Sequence, residues 1–417
     1  MKVLQIIHQF LDTNVAGSEL YTYYLSRELS KSHDVSILYY SNDNQKDFFL
    51  KKGKYENIST YIINIPTQSL YYWSLLNYKN KKVDKIFKNI LETYKPDIIH
   101  LQHLLYSSMN FPIIAKSKHI PTIHTLHDFY LICHCIKLID HKLDRCEDIN
   151  IRKCFMCILR PYSSINFLRK LVFEALYCGR LFYHIAWARK KAVRKVFQEV
   201  DLFISPSNFL KDIFLQNGLT SDKIIYSDNG MNYEIKNTKY NVNKDINNPL
   251  TFAYIGGHQI EKGITLLINA FNFIKNANLH IYGTGKEEEY KKLIKNPNII
   301  LKGYVQDDKK SEVFSKIDVL IVPSIWFENS PLTIHEAFMF NVPVITSNIG
   351  GMKELVWDGI NGLHFNVGDV EDLRKKIEYF IENKNEVERM GKNVPKIKSI
   401  KENSIELENI YKKLVCK

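Results

Sequence analysis

The chain has 417 residues, 45% hydrophobic and 24% charged, an ordinary globular composition with length for two or three packed domains. Lys and Arg number 57 against 45 acidic residues, a net charge of +12, which suits nucleic acid, an anionic membrane surface or a phosphorylated substrate without choosing among them. No apolar stretch reaches the ~18 residues that span a bilayer, and Met1 to Phe10 carries no signal-peptide pattern, so the expectation is a soluble or membrane-peripheral protein on the cytoplasmic side. Seven cysteines in such a chain are expected as reduced thiols.

Short β-branched runs alternate with helical patterns. Lys2–Ile7 reads as a strand, Ser18–Ser32 as a helix, then Val35–Tyr39, Ile98–His100, Pro121–Leu126 and Leu202–Ser205 as strands, with a helix from Ser207. This is the signature of βαβ units and a parallel sheet. Residues 235–249 are polar and Asn-rich and read as a linker. The pattern then restarts: Thr251–Ile255 is a strand ending in Gly256-Gly257, and Thr265–Asn276 has helical spacing. Leu279–Tyr282, Val319–Pro323 and Pro343–Thr346 read as strands. Two doubly wound α/β domains are expected, over 1–234 and 250–400, with a helix from Ser404 packing elsewhere. Ligands of open parallel sheets bind at the carboxyl ends of the strands, so chemistry is sought there.

Gly256-Gly257-His258-Gln259-Ile260-Glu261-Lys262-Gly263 puts a glycine turn after a strand and a lysine at a helix start. Glycines let backbone approach a phosphate, helix N-terminal amides donate to it, and the lysine neutralises it. The same residues also fit an ordinary strand-to-helix turn. Glu328 and Glu336 flank Ser330-Pro331, a helix-opening pair, so both carboxylates can face one ligand near the helix start. Buried, they accept from sugar and ribose hydroxyls; solvated, they are ordinary helix glutamates.

These residues, with Gly283-Thr-Gly285, Lys302-Gly303-Tyr304, Gly350-Gly351-x2-Glu354 and Asp358-Gly-x-Asn361-Gly362, occur in an order and spacing that resembles the retaining glycosyltransferases of family four. The first half agrees through Ala16-Gly17-Ser18-Glu19, Pro96-Asp-Ile-Ile-His100, Thr125-Leu-His127-Asp128, Ser205-Pro-Ser207 and Asp228-Asn229-Gly230. The resemblance implies a GT-B fold, two Rossmann-like domains facing across a cleft: an acceptor-binding first domain and a nucleotide-sugar-binding second, with residues 401–417 crossing back to the first. It implies that Lys262 contacts the donor diphosphate, Glu336 the ribose and Glu328 the transferred sugar. Backbone at Ser330, Pro331, Leu332 and Thr333 completes the phosphate site, and His127 stands at the reacting face of the sugar. Catalytic roles thus fall to His127, Lys262 and Glu328, and Gly17, Gly257, His258, Gly283, Gly285 and Tyr304 join the donor site. Two positions depart from the family. Gly257 stands where a basic residue is common, which leaves the diphosphate charge to Lys262 with help from His258, and Ala16-Gly17 replaces a double glycine.

No Asp-x-Asp pair occurs in the sequence, and preorganised donors can stabilise a leaving diphosphate without metal, so no catalytic metal is expected. Cys133-x12-Cys146-x7-Cys154-x2-Cys157, with Cys135 alongside, holds enough thiols for a structural zinc site; buried free thiols are the alternative. From Arg160 to Val200 nine basic residues against two acidic interleave with aromatics such as Trp187, a pattern suited to an anionic membrane surface or to a solvated helix face. His100 and His103, at strand ends, could reach the acceptor, but a histidine there is more often simply packed. The leading expectation is transfer of a hexosyl unit from a UDP-, GDP- or ADP-linked sugar to a growing surface glycan, lipid-linked or not. The alternatives are a nucleotide-sugar epimerase of the same fold and a basic nucleic-acid-binding protein; no recognised nucleic-acid motif supports the latter.

Overall fold

The computed structural model describes residues 1–12, 16–43, 46–66, 78–140, 144–150, 154, 157, 179–232 and 248–416. Most of the expected linker, and residues 160–178 of the basic segment, lie outside the described residues. The chain forms two compact units, Met1–Gly230 with Ile400–Lys417, and Met231–Ser399.

The first unit holds an eight-stranded sheet in the order β3-β4-β2-β1-β5-β6-β7-β8. Its strands are β1 (Lys2–Ile6), β2 (Asp34–Ser41), β3 (Phe49–Tyr55), β4 (Ile58–Asn64), β5 (Ile98–Leu101), β6 (Thr122–Thr125), β7 (Leu202–Ser205) and β8 (Ile224–Tyr226). All neighbours pair parallel except β3 with β4. That hairpin was not read from the sequence. Lys51, Lys52 and Lys54 interrupt its alternation, and they mark β3 as the solvated edge that lysines protect from further pairing. β1 is central and fully buried beyond Lys2, as a strand covered by helices on both faces must be.

The C-terminal helix Ile400–Val415 belongs to this unit, beginning four residues before the expected Ser404. Leu407 and Tyr411 join Val3, Leu25, Ile98 and Ile123 in one apolar cluster. The Tyr411 hydroxyl lies 2.6 Å from His100 Nδ1, and Tyr21 donates to Asn403 Oδ1 at 2.8 Å. Polar pairs inside the apolar contact fix its register, because each would cost free energy if left unmatched.

The second unit carries six parallel strands in the order β11-β10-β9-β12-β13-β14. They are β9 (Leu250–Ile255), β10 (Ala277–Tyr282), β11 (Ile299–Gly303), β12 (Val319–Val322), β13 (Val344–Ser347) and β14 (Gly362–Phe365). Successive side chains of β9 face opposite ways. Phe252 and Tyr254 pack with Leu267 and Ile377 from the helices Ile264–Phe271 and Val370–Glu382. Ala253 and Ile255 pack with Ile334, Ala337 and Met352 from Leu332–Met339 and Gly350–Leu355. The order reverses between β9 and β12, whose carboxyl ends make a topological switch point.

Tyr411→Ala removes a fully buried ring and its bond to His100, so the expected loss is about 3–5 kcal/mol of unfolding free energy, read from urea midpoints. Tyr411→Phe, which keeps the ring, is expected to lose about 1–2 kcal/mol.

Candidate functional site

In the second unit, close backbone approaches at the ends of β9, β10 and β12 build the candidate donor site. Gly283 has φ +136°, and a Cβ there would lie 1.9 Å from Gly256 O; Gly263 has φ +75°, and its Cβ would lie 1.9 Å from Pro323 O. Both positions need glycine for conformation and for space. Gly263 ends the 3₁₀ turn Ile260–Lys262 and begins the helix Ile264–Phe271, so Lys262 is held beside the end of β12.

Lys262 Nζ stands 2.6 Å from Glu328 Oε1 and 5.3 Å from the centre of the Trp326 ring. Glu328 Oε1 also accepts from Ser324 Oγ and Trp326 Nε1, each at 2.8 Å. Every one of these bonds ends on Oε1, which leaves Oε2 as an acceptor for a ligand. Burial pushes the Glu328 carboxyl pKa up, but the Lys262 ammonium and the three donors outweigh it, and the group is held below its ordinary value. An ionised, oriented carboxylate next to a cation suits a sugar hydroxyl beside a diphosphate.

Glu336, 2% exposed on the helix Leu332–Met339, accepts from Lys310 Nζ at 2.7 Å, and Lys310 lies 2.9 Å from Asp307 Oδ1. Lys310 was missed in the sequence because it sits in a charged run, Asp307-Asp-Lys-Lys310, without periodic signal. Ser330, Pro331, Leu332 and Thr333 form the start of this helix, with Pro331 as N-cap. Ser330 Oγ pairs with His335 Nε2 at 2.7 Å, and the first-turn amides are the donors a helix leaves unmatched. Tyr304, 61% exposed, follows β11. Gly257 lies between Gly256 and His258, its carbonyl accepting from Tyr254 Oη at 2.7 Å.

His258, expected to help Lys262 with the diphosphate charge, has its ring buried against Tyr290, with Gly283 and Gly285 closing over it. Burial lowers its pKa, so it enters the site as a neutral ring.

In the first unit a histidine cluster gathers at the carboxyl ends of β1, β5 and β6. Gly17 begins the helix Gly17–Leu29, and Glu19 on its first turn lies 3.3 Å from His8 Nε2. His127 Nε2 donates to Gln102 Oε1 at 2.8 Å, and Gln102 Nε2 donates to Gln5 Oε1 at 2.9 Å, which fixes the amide and hence the tautomer. Burial, with His103 nearby, pushes the His127 pKa down to about 4; the ring is neutral at physiological pH. His103 Nδ1 accepts from Leu105 N–H at 2.9 Å, so its Nε2–H donates to Asp128 Oδ2 at 2.8 Å. Asp128 also accepts from Tyr130 N–H at 2.7 Å. His8, Gln102 and His103 were missed or set aside, although their positions just after strands were visible in the sequence. His100 is packed as expected, between Tyr411 and Thr125.

Cys133, Cys135, Cys146, Cys154 and Cys157 stand around one cavity of about 20 Å³. Burial raises the Cys133 pKa and pushes Cys154 up to about 12, so these two are neutral thiols where no metal is bound. Among the described residues no three ligating side chains already stand around a metal position. In the basic segment Lys190, Lys191, Arg194 and Lys195 are exposed on the helix Gly179–Glu199, whereas Arg189 is buried and donates to the carbonyls of Tyr130 and Leu131. No described helix is long and apolar enough to cross a membrane.

The model of Glycosyltransferase Family 4 matches residues 15–234, and that of Glycosyl transferases group 1 matches residues 236–397. The chain is 22% identical to an uncharacterized 42.6 kDa protein in the cps region of Klebsiella pneumoniae, over 85% of this chain and 87% of that one. It is 29% identical to the capsular polysaccharide biosynthesis glycosyltransferase CapM of Staphylococcus aureus, over 40% and 47%. Among solved structures, Anabaena Alr3699/HepE in complex with UDP-glucose superposes with a TM-score of 0.62 at 15% identity, over 99% of this chain and 98% of that one. These likenesses establish the GT-B fold.

The buried neutral histidines carry a pH signature. His127 titrates near 4 and His124 near 3 when folded against 6.5 unfolded, and His8 and His100 are also well below 6.5. Between those values the unfolded chain binds more protons, so stability is full above about 6.5 and is lost as pH falls towards 4. Each such histidine contributes up to about 1.4 kcal/mol per pH unit. Urea unfolding between pH 7.5 and 4.5 is expected to show this decline; a flat profile would refute the neutral assignments.

Proposed function

The chain belongs to glycosyltransferase family 4, and from that premise we propose that it moves a hexosyl unit from a nucleotide sugar to a growing surface glycan, with retention of anomeric configuration and no catalytic metal. One observation carries the reading: Lys262 and Glu328 form an oriented ion pair at the end of β12, in the unit that also holds the buried Glu336. In this reading Lys262 takes the diphosphate, Glu328 Oε2 a hydroxyl of the transferred sugar, and Glu336 the ribose. The bond from sugar C1 to the leaving phosphate oxygen breaks, a bond from C1 to the acceptor oxygen forms, and the acceptor proton passes to the diphosphate. Charge grows on the diphosphate as that bond breaks, so Lys262 and the amides of Ser330, Leu332 and Thr333 bind the transition state more tightly than the ground state. Neutral His127 acts at the reacting face of the sugar as a hydrogen-bonding group, with no charge to compete for the diphosphate. The relatives in the cps region and in capsule biosynthesis support a surface-glycan acceptor, and the UDP-glucose complex of HepE supports a nucleotide-sugar donor.

Thermal-shift titration with UDP, GDP and ADP identifies the base, because only a ligand of the folded state raises the melting temperature. With that donor, Glu336→Ala is expected to weaken donor affinity about 10–100-fold. Lys262→Ala is expected to lower kcat about 100–1,000-fold, with a smaller change in affinity. Leaving Mg²⁺ and Mn²⁺ out of the assay is expected to leave the wild-type initial rate unchanged. Unchanged donor affinity and rate in Glu336→Ala would refute the ribose assignment.

We further propose that the acceptor is lipid-linked and that the exposed basic face of the helix Gly179–Glu199 meets an anionic membrane. Trp187, 49% exposed with Lys191 over its ring, supplies an aromatic anchor, and each basic residue near such a surface adds roughly 1 kcal/mol. Replacing Lys190, Lys191, Arg194 and Lys195 with Gln is expected to abolish co-sedimentation with anionic vesicles at physiological salt while nucleotide affinity is unchanged; Arg189 is left intact because it is part of the core. Equal co-sedimentation would reject the membrane reading.

A further inference from the structure

The loop that follows His127-Asp128 holds a buried cation without a carboxylate. Arg189 is 2% exposed; its hydrogen bonds go to the carbonyls of Tyr130 and Leu131, its guanidinium lies 5.1 Å from the Tyr130 ring centre, and its Nε has no partner. No described Asp or Glu pairs with it. A buried charge without a counter-ion is costly. The groups in electrostatic range of this guanidinium include Cys133 and Cys154, members of the thiol set around the 20 Å³ cavity, a space for about one small sphere.

Cys133 and Leu138 line the same cavity as Cys135, Cys146, Cys154 and Cys157. Ile136 and Leu138 hold φ +69° and +50°, a conformation that is an outlier for the β-branched Ile136 and persists only where the surroundings enforce it. Ile139 pairs with Arg145, and Cys146 N–H donates to Leu138 O at 2.8 Å, which returns Cys146 to the knuckle. Cys154 has Cys133, Cys146 and Cys157 as its thiol neighbours, and Cys135, bonded to Cys157, also has Cys133 and Cys154 beside it.

We propose that Cys133, Cys146, Cys154 and Cys157 bind one structural zinc ion as thiolates, with Cys135 outside the coordination shell and Arg189 as counter-ion to the tetrathiolate centre. Four thiols lose four protons on binding Zn²⁺, giving a centre of charge −2 that supplies the anion Arg189 lacks. Tetrahedral Zn–S bonds of about 2.3 Å place sulfurs about 3.8 Å apart, so binding draws the side chains inward from their present positions. The metal then staples the segment after Asp128, whose Tyr130 N–H positions that carboxylate. This inference stands apart from the glycosyl-transfer reading, since its readout is metal content.

Protein purified without chelator is expected to contain about one equivalent of zinc by elemental analysis, and Cys154→Ser/Cys157→Ser to contain less than about a tenth of that. Cys135→Ser is expected to keep the metal. Metal-stripped wild type, reduced and titrated with Co²⁺, is expected to develop an intense thiolate-to-cobalt charge-transfer band saturating at one equivalent, a readout that does not depend on variants folding. Wild type free of zinc with no such band on Co²⁺ addition, or disulfides among these cysteines in reduced-state mass analysis, would overturn the site. Metal loss in Cys135→Ser would overturn the ligand assignment.

Discussion

A Cβ on Gly351 would lie 1.5 Å from the carbonyl oxygen of Asn329. That backbone-on-backbone contact, with Gly351 N–H donating to Glu328 O at 2.8 Å, presses the start of the helix Gly350–Leu355 onto the loop that carries Glu328. Gly263 against Pro323 O and Gly283 against Gly256 O are of the same kind. A parallel strand buried on both faces exposes chain only at its ends, so the loops there must crowd together, and they can do so only where side chains are absent. The positions of Lys262 and Glu328, and so the charge arrangement of the second unit, follow from these contacts.

Crowding also sets the electrostatics. Glu328 stays ionised although buried because Lys262, Ser324 and Trp326 converge on one of its oxygens; lacking those partners it would protonate rather than bear the desolvation cost. In the first unit the opposite choice is made. His8, His100, His124 and His127 are buried close together, so each opposes the protonation of its neighbours, and burial keeps all four neutral. One half of the molecule thus presents a paired cation and carboxylate, and the other presents neutral imidazoles fixed in orientation by amides and carboxylates.

The C-terminal helix shows how chain order and packing part company. Residues 400–415 follow the second unit in sequence but belong to the first. The apolar side chains Leu407 and Tyr411 require a partner. The polar matches of Tyr411 with His100 and Asn403 with Tyr21 identify which surface that is, something hydrophobicity alone does not specify.

The sequence by itself determined the βαβ alternation, the strands that end in Gly256 and Pro323, and the motif residues Lys262, Glu328 and Glu336, because period, glycine placement and residue order are local properties of a chain. It also carried the family resemblance, which rests on order and spacing. Tertiary structure decided which of those residues meet. It put Lys310 against Glu336 across 26 positions and Gln102 against His127 across 25. It buried the ring of His258 against Tyr290, and it put Arg189, expected on a basic helix face, into the core. It added the antiparallel β3 edge, whose lysines obscure the strand pattern. The physical reason is the same in each case: charge state and pairing depend on burial and on neighbours distant in sequence, and spacing along the chain encodes neither.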